Sequence, residues 1–140
     1  MSIFVDTSAF YGLADRSDRR HAEAQALYDA NAGIERFYTS DLVMAETWLL
    51  IRGRLGRRAA VQWWAGMRAG IVEVVPTSDA DLEAAWWIVQ RYGDQDLSLV
   101  DCVSFALMER LGIDAAFAFD HHFSLYRYGA RSERAFRLLA

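Results

Sequence analysis

Asp6, Glu46, Asp101 and Asp120 are carboxylates in apolar company, and that combination is the chemical signal of this chain. Asp6 ends the run Ile3-Phe4-Val5 and precedes Thr7 and Ser8, two good helix N-caps, so it stands where a buried strand gives way to a helix. Asp120 follows Ala116-Phe117-Ala118-Phe119 and reads as the same kind of strand end. Glu46 shares a helical face with Leu42, Val43, Leu49 and Leu50, while Met44, Ala45, Trp48 and Ile51 occupy the other sides. A helix apolar nearly all round is expected to be largely buried. Asp101 follows Ser98 by three residues, inside the apolar stretch Leu97 to Met108.

Each acid has an ordinary explanation. Asp6 caps a helix, Glu46 pairs with an arginine, Asp101 is the third residue of a capping box, and Asp120 sits in a turn. Together they ask for a common cause, because an unpaired buried carboxylate costs several kcal/mol. Carboxylates that converge at one sheet edge either take up protons or are neutralised by a cation. All-oxygen donors select hard ions, hence Mg²⁺ or Mn²⁺. No His/Cys set has zinc spacing. Asp96, in the loop before Asp101, is an accessory acid, as readily solvated as a ligand. Thr7 and Ser8 either cap the first helix or hydrogen-bond a carboxylate or phosphate. His121 and His122 are adjacent and read as loop or helix-start residues. Of the two, His121 is the candidate contact to a substrate or a partner.

The elements that must position these groups alternate. Beyond the first strand and short helix, His21–Asn31 reads as a helix with Gly33 as its stop, and Arg36–Thr39 as a short strand that Ser40 or Asp41 terminates as a cap. Leu42–Leu55 is a helix closed by Gly56, and Arg57–Arg68 is another, ending near Gly70. Ile71–Val75 is a strand stopped by Pro76. Ser78 with Asp81, and Ser98 with Asp101, repeat a capping-box pattern ahead of helices that run to Tyr92 and about Leu111. Ala115–Phe119 is a strand, Phe123–Tyr128 is short and irregular, and Ala135–Leu139 is a last strand. Strands separated by helices predict an α/β fold, a mostly parallel central sheet with helices on both faces. Ligands of such sheets bind at the carboxyl ends of the strands, where Asp6 stands.

The chain has 140 residues, 54% of them hydrophobic, which suits a single domain over 1–140 with a real core and excludes a disordered chain. No apolar run is long enough to span a bilayer. The N-terminus lacks the basic-then-apolar pattern of a signal peptide, and one cysteine forms no internal disulfide, so a cytoplasmic protein is expected. A formal net charge of −4 argues against gripping nucleic acid by bulk charge, yet leaves room for a local basic surface. All 15 basic residues are arginine. Arg52, Arg54, Arg57 and Arg58 cluster around Gly53 and Gly56, as a rim for RNA or an acidic partner segment or as a solvated helix junction. The Trp63-Trp64 and Trp86-Trp87 pairs lie on predicted helices, where one member of each is expected to face out.

Val5-Asp6-Thr7-Ser8, Glu46, Asp96-Leu97-Ser98-Leu99-Val100-Asp101-Cys102 and Phe119-Asp120-His121-His122-Phe123 resemble, in order and spacing, the PIN-domain ribonucleases, and within them the VapC-type toxins of bacterial toxin–antitoxin pairs. The resemblance covers essentially the whole chain. It implies a PIN fold and Mg²⁺- or Mn²⁺-dependent cleavage of single-stranded or loop RNA. It places the family's acidic quartet, which holds the metal and does the chemistry, on Asp6, Glu46, Asp101 and Asp120, with Asp96 as accessory. It also implies a homodimer and a cognate antitoxin partner. The rival readings are a catalytically silent PIN-like binding module and a housekeeping RNA-processing nuclease. A receiver domain is excluded by the lack of lysine, and a dehalogenase-type phosphatase by Ser8 where a second aspartate is needed.

Overall fold

The computed structural model describes residues 1–139. Five strands, β1 (Ser2–Val5), β2 (Arg36–Ser40), β3 (Val72–Val75), β4 (Ala115–Phe117) and β5 (Arg137–Leu138), form one sheet in the order β3-β2-β1-β4-β5. Every neighbouring pair is parallel. Seven helices connect them: α1 (Thr7–Ala14), α2 (His21–Asn31), α3 (Asp41–Leu55), α4 (Arg57–Met67), α5 (Asp79–Arg91), α6 (Leu99–Leu111) and the single turn α7 (His122–Leu125).

The strand order explains where a site forms. From β1 the chain steps outward to β2 and β3, and it then returns past β1 to β4. Right-handed crossovers running in opposite directions leave their helices on opposite faces. Accordingly α1 to α4 pack among themselves, and α5 packs against α6. Between β1 and β4 the connections diverge, which opens a crevice at the carboxyl ends of those two strands.

Local chemistry sets the helix ends. Ser40 Oγ accepts from Val43 N–H to start α3, and Gly56 closes that helix at φ 95°, a conformation that favours glycine. Ser78 and Ser98 form complete capping boxes with Asp81 and Asp101. The core lies between the layers. Ile3, Phe4, Phe105, Leu107, Phe117 and Phe123 are all essentially inaccessible. Phe105 stacks on Tyr126 with ring centroids 4.6 Å apart.

The structure departs from four expectations. Strand β4 ends at Phe117, two residues short of the predicted end. Its ladder runs out with β1 at Val5, and Phe119 N–H donates instead to Ser8 Oγ at 2.9 Å. Asp120 therefore stands on a loop, not at a strand end. Helix α3 is not buried all round: Val43, Thr47 and Ile51 form one covered stripe, while Leu49 is 66% exposed. Trp86 and Trp87 both face solvent, because Ala85 and Ile88 take the inward positions of α5. Phe123–Tyr128 is not wholly irregular, since α7 occupies its first part.

Candidate active site

Asp6 enters the crevice as the N-cap of α1. Its Oδ2 accepts from Ser8 N–H at 3.2 Å and from Ser8 Oγ–H at 2.7 Å. Capping and chemistry are thus not alternatives, because the cap bond aims the carboxylate. Ser8 Oγ also takes the Phe119 N–H, so one hydroxyl ties α1 to the chain leaving β4. Asp120 repeats the device, its Oδ1 accepting from His122 N–H at 2.9 Å. Asp101 caps α6 from inside its first turn, with Oδ2 accepting from Ser98 N–H at 3.4 Å. Thr7 is buried and receives a hydrogen bond from Thr47 Oγ at 3.4 Å, under the floor of the site.

These residues meet. A cavity of about 330 Å³ is lined by Asp6, Thr7, Ser8, Glu46, Leu50, Asp96, Ser98, Asp101, Asp120 and His122. All four acids singled out from the sequence reach it, and so does the accessory Asp96, from an exposed loop. Glu46 is half-buried on α3 and makes no ion pair among the described residues, so the arginine partner considered for it is absent there. Arg52, Arg54, Arg57 and Arg58 lie outside the cavity, exposed at the α3–α4 junction.

The two histidines part company at the cavity. His121 is 81% exposed and does not line the cavity. His122 does, with Nδ1 2.9 Å from Asp101 Oδ2 and 3.2 Å from Asp120 Oδ1. A sequence signal for this existed. Asp6-x-Ser8 and Asp120-x-His122 share the spacing in which an aspartate holds the backbone N–H two residues on. That turn brings the second residue's side chain back toward the acid.

The electrostatics are those of crowded acids with no arginine among the lining residues. Burial pushes the Asp6 carboxyl up to about 7, against the Ser8 hydrogen bonds and with help from the charge of Asp101. Burial also raises Asp101, and the neighbouring charge of Asp120 adds to it, opposed by the bonds from His122 and Ser98. Oxygen donors whose ionisation the fold resists, gathered around an open cavity, fit a hard divalent cation, which would relieve both the burial and the repulsion.

Comparison with known proteins agrees with the geometry. The PIN domain family model matches residues 3–128. The 23S rRNA-specific endonuclease VapC20 of Mycobacterium tuberculosis is 43% identical over 124 residues, covering 87% of this chain and 92% of the relative. The crystal structure of VapC20, described as a Sarcin-Ricin loop cleaving toxin, superposes with a TM-score of 0.82 at 37% identity, covering 88% of this chain and 93% of that one. The fold is shared more widely. A DNA-bound VapBC2 from Rickettsia felis superposes with a TM-score of 0.68 at 10% identity, covering 88% of this chain and 91% of that chain.

Proposed function

The chain belongs to the PIN-domain family, among its VapC-type endoribonucleases, and from that premise we propose that it hydrolyses phosphodiester bonds in single-stranded or loop RNA with Mg²⁺ or Mn²⁺. The observation that carries this reading is the meeting of Asp6, Glu46, Asp101 and Asp120 in one cavity at the sheet's switch point. The four carboxylates supply the oxygens that would hold the ion, with Asp96 near the mouth. When bound, the ion supplies Lewis-acid polarisation of the phosphate and a more acidic water. The chain's own work is positioning. Ser8 fixes the Asp6 carboxylate, Ser98 N–H and His122 fix Asp101, and His122 N–H fixes Asp120. Preorganised groups of this kind need no reorganisation as charge develops on the phosphate.

The substrate proposed first is a ribosomal RNA loop of the sarcin–ricin type, because a relative that matches over most of both chains is named for cutting one. The protein is proposed to act in the cytoplasm, as one PIN domain over 1–140, as a homodimer, and under the control of a cognate antitoxin. No helix among the described residues is long and apolar enough to cross a membrane.

The test is cleavage of a structured RNA pool containing such a loop, with Mg²⁺, Mn²⁺ or EDTA, beside Asp101→Asn. Metal-dependent cuts leaving 5′-phosphate ends are expected, reduced about 100-fold or more in the variant. Wild-type metal binding with no cleavage would return the protein to the silent-module reading.

A further inference from the structure

We propose that Asp120, His121 and His122 form a second metal site, for a borderline divalent ion of the zinc class, and that filling it stops RNA cleavage. Adjacent histidines diverge on a strand, but these are not on one. His121 has φ −62° and ψ −18°, a helical backbone that turns successive side chains by about 100° and not 180°. The two imidazole rings consequently lie with centroids 4.4 Å apart, both beside Asp120. Ligand atoms of Asp120, His121 and His122 all fall within 4.8 Å of one another.

The spacing suits a small tetrahedral ion. Bonds of about 2.0–2.1 Å from nitrogen and oxygen place tetrahedral donors roughly 3.3–3.4 Å apart. Here His122 Nδ1 is 3.2 Å and His121 Nδ1 is 3.8 Å from Asp120 Oδ1. These separations bracket the tetrahedral edge, and the exposed His121 side chain is free to close the longest of them. The donor chemistry points the same way. Imidazole suits zinc, copper and nickel, whereas Mg²⁺ prefers oxygen and keeps its waters. Two nitrogens beside one carboxylate, with a fourth position left to water, therefore make a donor set that discriminates against the hard ion. Asp120 would serve both ions, so zinc held here withdraws one of the four acids from the Mg²⁺ site. The inhibition rests on the endoribonuclease reading, while the binding does not.

The experiment has two arms. In the first, Zn²⁺ is titrated into metal-free protein against a chromogenic chelator, with Co²⁺ as a spectroscopic stand-in. One ion per chain is expected, with intense visible bands of four-coordinate Co²⁺, and His121→Ala and His122→Ala each weakening zinc by about tenfold or more. In the second, RNA cleavage with Mg²⁺ is followed as Zn²⁺ is added. His121→Ala, whose side chain lies outside the cavity, is expected to resist inhibition when its rate with zinc is compared with its own rate without zinc. Equal zinc affinity in the wild type and in the double histidine variant would overturn the site. Zinc sensitivity unchanged in His121→Ala, or histidine-dependent binding that leaves cleavage untouched, would overturn the overlap. If no metal supports cleavage, the nuclease reading fails, and the binding arm still decides the site.

Discussion

Asp6 is 3% exposed, faces the charge of Asp101, and carries a carboxyl that burial pushes up to about 7. A group that holds its proton more tightly in the folded chain than in the unfolded one favours folding in acid. Its contribution is fully present below about pH 4 and is lost as pH rises through about 7, and each pH unit by which the carboxyl is raised is worth about 1.4 kcal/mol. Over that window the metal-free protein loses stability on the order of 4 kcal/mol from Asp6. The melting temperature in EDTA should therefore fall between about pH 5 and about pH 8, and Mg²⁺ or Mn²⁺ should restore it at the upper end. Asp6→Asn should flatten the slope, leaving the share that comes from Asp101. A slope identical in variant and wild type would show that Asp6 ionises freely. Ser8 sharpens the point, since its hydroxyl donates to Asp6 at 2.7 Å and accepts from Phe119 N–H at 2.9 Å. Ser8→Ala should cost about 1–2 kcal/mol in denaturant unfolding and should move the cleavage pH profile upward, as Asp6 loses a bond that favours its ionised form.

At the scale of elements, α5 and α6 begin with the same signal and end in different chemistry. Ser78 with Asp81 and Ser98 with Asp101 are both complete capping boxes. Burial alone would raise Asp81, but paired hydrogen bonds from Arg110 at 2.8 and 2.9 Å, with those of Ser78, hold its carboxyl below the usual range. Asp101 has no such cation, so burial keeps it raised and the charge of Asp120 adds to the rise, against the bonds from His122 and Ser98. The cap pattern is local and legible in the sequence. What separates the two is Arg110, 29 positions from Asp81, and no spacing rule reaches that far. The same division runs through the fold. The helices with capping serines and glycine stops are readable almost to the residue, and so are Asp6 as the acid that ends β1 and Asp101 in the first turn of α6. The early end of β4 is not, because it depends on where the β1 ladder stops and on a hydroxyl from Ser8. Nor is the exposure of Leu49, since no other element covers that side of α3. Arg110→Ala tests the α5–α6 clasp. It leaves a carboxylate that is 2% exposed without its cation, although Arg110 itself is 41% exposed and solvent screens the pair. A loss of about 2 kcal/mol is expected near neutral pH, with RNA cleavage unchanged. Because Asp81 is lowered in the folded state, that stabilisation exists above the unfolded carboxyl's pKa and fades as pH falls through the folded one. The variant and wild type should therefore converge in acid.

The whole molecule carries a net charge of −4 and gathers carboxylates in the cavity that RNA must enter, so the attraction for phosphates has to come from elsewhere on the surface. The α3–α4 junction is the place best disposed for it. Leu50 lines the cavity, and Arg54 lies one turn further along the same helix. The Arg54 guanidinium is held 5.0 Å over the Tyr11 ring, which leaves its edge for a phosphate or a base. Arg52, Arg57 and Arg58 surround it, all exposed. As an RNA contact, a rim of this kind would act on encounter and binding more than on the chemical step, because it would meet the strand beyond the reacting phosphate. Replacing Arg52, Arg54 and Arg58 by Gln should raise KM about tenfold at moderate salt while leaving kcat near the wild-type value. Each phosphate left without its arginine should also reduce the slope of log KM against log salt by about 0.7, the single-strand value. A triple variant with an unchanged KM and salt slope would remove the rim from the RNA path and leave it to solvent or to a protein partner.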